Sequence, residues 1–111
     1  MRFDAFEVAL EIIRAIRKLM DQVARYDRDL ADQMRRAVSS IALNVSEGAK
    51  RAGRDRAHSF RVAAGSANEV RAGLLVAEAF GYVTREAIAV GLELIDRELG
   101  MLWRLSNPRV P

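Results

Sequence analysis

Residues 33–69 read QMRRAVSSIALNVSEGAKRAGRDRAHSFRVAAGSANE, and this stretch decides the fold. Met34, Ala37, Val38, Ile41 and Val45 recur at helical spacing, so the first half is one face of an amphipathic helix. Gly48 is a residue type that ends helices, and GAKRAGRDR over 48–56 has the glycines and charges of an exposed connection. Phe60, Ala63, Ala64 and Ala67 then resume the helical period. The stretch is therefore helix, basic turn, helix.

Working outward, the N-terminal segment predicts a first helix over roughly 4–25. Asp4 and Glu7 suit a capping box and Phe3 with Val8 a hydrophobic staple, ahead of an apolar stripe through Ile12, Ile16, Leu19 and Val23. Asp27 or Asp29 opens the second helix, over 28–48. The third spans about 55–80 and ends at Gly81, with Tyr82 folding back on Ala77 in a Schellman arrangement. Thr84 caps a fourth helix over 85–105, whose expected core face is Ile88, Leu92, Ile95, Leu99 and Leu102; a frayed tail is expected from Trp103 to Pro111. Four helices with short connections in 111 residues make a single all-α domain, an antiparallel up-down-up-down four-helix bundle.

The third helix carries two apolar or small-residue faces. Opposite its core face lie Val62, Gly65, Gly73 and Val76. Glycine inside a helix costs about 1 kcal/mol relative to alanine, so Gly65 and Gly73 point to close approach of another backbone. A bundle monomer buries one stripe per helix, and the second stripe predicts a homo-oligomer.

Composition limits the chemistry. The chain has no cysteine and a single histidine, and its N-terminus is charged through Asp4, Glu7 and Glu11. Disulfides and thiolate metal sites are excluded, no secretory leader is expected, and no apolar run reaches the ~18 residues of a membrane span. The expectation is a cytoplasmic protein with no membrane association. A di-iron bundle needs Glu-x-x-His motifs, which are absent, so no metal and no cofactor is expected. The turn is glycine-rich but follows a helix and lacks the Gly-Lys-Ser/Thr ending of a phosphate loop. His58 has no reason to meet Ser40 and Asp55 as a triad. No catalytic residue is assigned.

Two features are not explained by packing within one chain. On the second helix Gln33, Arg36, Ser40, Asn44 and Glu47 form a polar stripe beside the core face, and Ser66 and Glu69 answer them on the third. A hydrogen-bonded network fixing register or a subunit contact is the expectation, with a ligand or acid–base site the alternative. The second feature is charge. The net charge is +3, and residues 50–61 hold five basic side chains (Lys50, Arg51, Arg54, Arg56 and Arg61) against Asp55 alone. Repeated around an oligomer, this cluster becomes a multivalent positive band suited to the phosphates of DNA or RNA. The rival is a structural scaffold for an unidentified protein partner. The turn has no aromatic residue, so base stacking is not indicated.

The spacing Q-x-x-R-A-x-x-S-I-x-x-N-x-x-E-G-x-x-R is met by Gln33, Arg36, Ala37, Ser40, Ile41, Asn44, Glu47, Gly48 and Arg51. A second pattern, A-x-G-S-x-x-E followed by Gly-Tyr, is met by Ala63, Gly65, Ser66, Glu69, Gly81 and Tyr82. In these residues the chain resembles the bacterial four-helix-bundle proteins first noticed as reading frames inside intervening sequences of 23S ribosomal RNA genes. It departs at Ala42, where the family often has Pro, and at Ser59, where it often has Phe. The resemblance implies a ring, commonly a homopentamer, with no attached catalytic activity. A distant branch, the accessory variability proteins of diversity-generating retroelements, is associated with nucleic acid and a reverse transcriptase.

Overall fold

A computed structural model describes residues 4–107, which form four α-helices: α1 (Asp4–Ala24), α2 (Arg28–Lys50), α3 (Gly53–Ala79) and α4 (Arg85–Ser106). Each helix packs on its sequence neighbour, and α1 closes the square against α4. The result is the antiparallel up-down-up-down bundle that the apolar stripes predict, with principal extents of 48 × 23 × 22 Å. Its core is aliphatic, running through Ile12, Ile16, Met34, Ile41, Val70, Leu74, Ile88, Ile95 and Leu102, with Phe60 the largest fully buried side chain.

Local signals place the helix ends. The Asp27 side chain accepts a hydrogen bond from the Leu30 N–H at 3.0 Å, and Thr84 accepts from the Ala87 N–H at 3.1 Å. Gly81 has φ of 79°, with its N–H bonded to Glu78 O and the Tyr82 N–H to Ala77 O, each at 2.9 Å. These are the paired bonds of a Schellman motif. Val83 and Ile88 are both buried, as a staple requires. The staple expected at Phe3 and the prolines at 108 and 111 lie outside the described residues.

Three expectations are corrected. Gly48 does not end α2; the helix runs on to Lys50 because Gly48 is a packing residue. A Cβ on it would lie 2.6 Å from Cε1 of Phe60, so the missing side chain makes room for the ring. The turn glycine is Gly53 instead, with φ of 58° at the first residue of α3. Only Arg51 and Ala52 separate the helices, so the connection is far tighter than a nine-residue loop. Finally, α4 stays helical past Trp103 to Ser106.

The core stripe of α4 is also turned by one position. Its buried residues are Ile88, Gly91, Ile95, Glu98 and Leu102, while Leu92 and Leu99 are only partly buried. Gly91 sets this rotation, since a Cβ there would meet Ile16 Cγ2 at 2.8 Å and Leu74 Cδ1 at 3.3 Å. Two turns further along α4 the same buried stripe passes through Glu98, so a carboxyl enters the core.

Candidate nucleic-acid interface

Lys50, Arg51, Arg54 and Arg56 sit at the facing ends of α2 and α3 and Arg61 two turns into α3, and the five divide into two groups. Arg51 is held by Glu47, with Nη2 2.6 Å and Nε 2.7 Å from Oε1, and its Nη1 lies 4.0 Å from Asp55. Arg56 donates to the Gly48 carbonyl at 3.4 Å, and its Cζ stands 5.1 Å from the centre of the Phe60 ring. These two guanidiniums fasten the α2–α3 corner, the second through a cation–π contact on the same ring that Gly48 accommodates. Lys50, Arg54 and Arg61 are exposed and have no ion pair among the described residues. Lys50 ends α2, while Arg54 and Arg61 stand two turns apart on one side of α3.

The polar stripe is drawn together only in its middle. Ser66 Oγ donates to Ser40 Oγ at 2.8 Å across the α2–α3 seam. Asn44 Nδ2 donates to the Ser40 carbonyl at 2.9 Å and to Ser40 Oγ at 3.0 Å. All three side chains are half-buried. Gln33, Arg36, Glu47 and Glu69 stay exposed. Glu47 belongs to Arg51, and Gln33 and Glu69 line a small groove of about 170 Å³ beside Val76. Carboxylates at helical spacing thus remain at the rim, while hydroxyl and amide groups, which cost less to desolvate, enter the seam. Because Ser40 accepts from both partners, Ser40→Ala is expected to cost about 2 kcal/mol and Ser66→Ala about 1 kcal/mol. Urea unfolding of the two variants checks this order.

The residues expected at a subunit contact also separate. Val62 and Val76 are exposed, at 38% and 42%, and Gly65 is exposed with nothing within 4 Å of where its Cβ would lie. Gly73 is buried inside the bundle, where a Cβ would stand 2.7 Å from Cγ of Met34. Its partner is a side chain of α2 rather than the backbone of another subunit. Leu43 of α2, 69% exposed, adds to the outward apolar surface.

Glu98 is the group that sequence reasoning passed over. It is fully buried, and neither carboxyl oxygen has a hydrogen-bond partner in the described structure. Burial pushes its pKa up from 4.5 to about 8, against a smaller opposing pull from Arg97. The signal was present in the spacing 88-91-95-98-102, which is a helical stripe passing through 98. Among the described residues no cluster of three or more His, Asp or Glu side chains is placed to hold a metal, and no helix is long and apolar enough to cross a membrane.

The crystal structure of a protein of unknown function from the S23 ribosomal protein family of Bacteroides thetaiotaomicron VPI-5482 matches with a TM-score of 0.84 at 21% identity, covering 93% of this chain and 98% of that one. At that identity the likeness shows the fold. Among curated proteins no sequence match is found. The family profile described as 23S rRNA-intervening sequence protein matches residues 2–104, a span that contains both spaced polar patterns and all but the end of α4, and the chain belongs to that family.

Proposed function

We propose that this protein is a non-enzymatic, ring-forming bundle that binds nucleic acid electrostatically through the α2–α3 corner. The observation that carries the reading is the division of the basic cluster. Arg51 and Arg56 are bound to their own corner, which leaves Lys50, Arg54 and Arg61 exposed and unpaired among the described residues. The N-terminus of α3 adds to them: its cap residue, Ala52, offers no side-chain acceptor, and its free N–H groups carry partial positive charge. Oligomerisation through the exposed Val62, Gly65 and Val76 face repeats these cations on every subunit. Pentameric closure is the stoichiometry expected from the family resemblance. Neither the family description nor the neighbour's names a catalytic activity.

Binding of this kind comes from counterion release, so it falls with salt and depends little on sequence. Changing Lys50 and Arg54 together to Gln is expected to reduce the slope of log K against log salt by about 2 for each bound subunit, with helicity unchanged. Arg51→Gln, which removes a cation already neutralised by Glu47, is expected to change the slope less. A gel-shift series across salt with DNA and RNA measures both. Equal binding by wild type and double variant removes the corner from the mechanism. Absence of any binding at ~100 mM salt, with recovery of one specific protein in a pull-down, replaces this reading with that of a protein scaffold.

A further inference from the structure

The basic corner has no exposed aromatic of its own, and the fold supplies one from the far end of the sequence. Trp103, on the last turns of α4, is 66% exposed. With Arg61 of α3 it lines an open groove of about 390 Å³ between the two helices, within the size range of small-molecule sites. Leu99 and Leu102 add apolar wall, and Asn68 and Asn107 add amides. None of the lining residues is acidic. Arg61 has no ion pair, and Asn68 no hydrogen bond, among the described residues. The Asn107 amide nitrogen is engaged by the Trp103 carbonyl at 3.0 Å, which leaves its oxygen as an acceptor.

A planar indole, an unpaired guanidinium and two amides with spare hydrogen-bonding capacity match the three parts of a nucleotide. The base has a π-face for the indole and polar edges for the amides, and the phosphate suits the guanidinium. Arg61 lies two turns, about 10 Å, along α3 from Arg54, so a backbone tracking the exposed cations reaches the groove. In a duplex both faces of each base are already stacked. We propose that this groove binds single-stranded nucleic acid, with a base stacked on Trp103 and an adjoining phosphate on Arg61. This rests on the nucleic-acid reading above and names the form of polymer that it takes.

Trp103 is the only tryptophan, so indole emission excited at the red edge, where the two tyrosines do not absorb, reports on this groove alone. Titration of the full chain with single-stranded oligothymidylate is expected to quench the emission, whereas a duplex of equal length binds without quenching. Trp103→Leu keeps an apolar side chain at an exposed position and so keeps the fold. It is expected to weaken single-strand binding about tenfold at constant salt and to leave duplex binding unchanged, with Trp103→Phe restoring most of the loss. Adenosine monophosphate, too small to span the Lys50–Arg54 cations, is expected to quench wild type but not Arg61→Gln. That outcome supports the groove even where the Lys50/Arg54 double variant binds normally. Full gel-shift of the single strand with no quenching overturns the groove and leaves the electrostatic corner standing. Equal quenching by duplex and single strand overturns it as well. So does an emission already typical of buried indole, which would mean that a second copy covers the site.

Discussion

Replacing Glu98 with leucine is expected to raise the melting temperature at pH 8 by about 10–20 °C, an unusually large gain for one substitution. The reason is a fully buried carboxyl with no hydrogen-bond partner among the described residues. Burial pushes its pKa up, and Arg97 pulls the other way by less. The sign follows from the raised pKa. Between an unfolded value of 4.5 and a folded value of about 8, the folded chain holds a proton that the unfolded chain releases. The folded state is therefore least penalised below pH 4.5, loses stability at about 1.4 kcal/mol per pH unit above it, and levels off beyond pH 8. The whole span amounts to about 5 kcal/mol. Glu98→Gln keeps the shape without the titration, so its stability is expected to lack this slope, while Glu98→Leu also removes the unpartnered polar atoms. Circular-dichroism melts at pH 5, 7 and 9 give the test as a difference from wild type, which cancels the surface ion pairs such as Arg35–Asp21 and Arg71–Asp96. A wild-type profile parallel to that of Glu98→Gln would show that the carboxyl finds a partner in solution and would remove the argument.

Glu98 also marks where sequence reasoning about this chain stops. Apolar stripes every three or four residues, aliphatic in α1, α2 and α4 and largely alanine in α3, gave all four helices, because burying a continuous apolar face outweighs any single residue's preference. The caps at Asp27, Thr84 and Gly81 were equally legible, since each satisfies a backbone group within five residues of itself. What failed depended on partners distant in sequence. Gly48 reads as a helix stop until Phe60 is placed on it, and Gly73 reads as an intersubunit contact until Met34 is. Leu99 outranks Glu98 for the core on hydrophobicity alone, and only Gly91, pressed between Ile16 and Leu74, turns α4 the other way. The basic cluster was visible as charge. Its division into fastened and exposed members required the positions of Glu47, Asp55, Gly48 and Phe60, and the aromatic that it lacked arrived on α4, more than forty residues downstream.

The two glycines of α3 offer the second large effect, because they respond oppositely to the same substitution. Gly73→Leu places a side chain where a Cβ alone would already meet Met34 Cγ at 2.7 Å and Sδ at 3.2 Å. Met34 is 2% exposed and its Cγ, close to the backbone, cannot swing aside as a side-chain tip can, so overpacking is expected to cost about 3 kcal/mol and lower the melting temperature by roughly 10 °C. Gly65→Leu meets open space, and in a lone subunit it gains helix propensity of about 1 kcal/mol. Its melting temperature is therefore expected to hold or rise. If α3 meets another subunit through Val62, Gly65 and Val76, the same leucine separates the surfaces and lowers the assembly to smaller species. Thermal melts combined with light scattering at micromolar concentration resolve the two quantities. Assembly unchanged in Gly65→Leu would move the interface elsewhere on the surface, with exposed Leu43 and Val90 as the next positions to substitute. A wild type that is monomeric at that concentration would remove the ring, and with it the multivalency on which the α2–α3 corner depends.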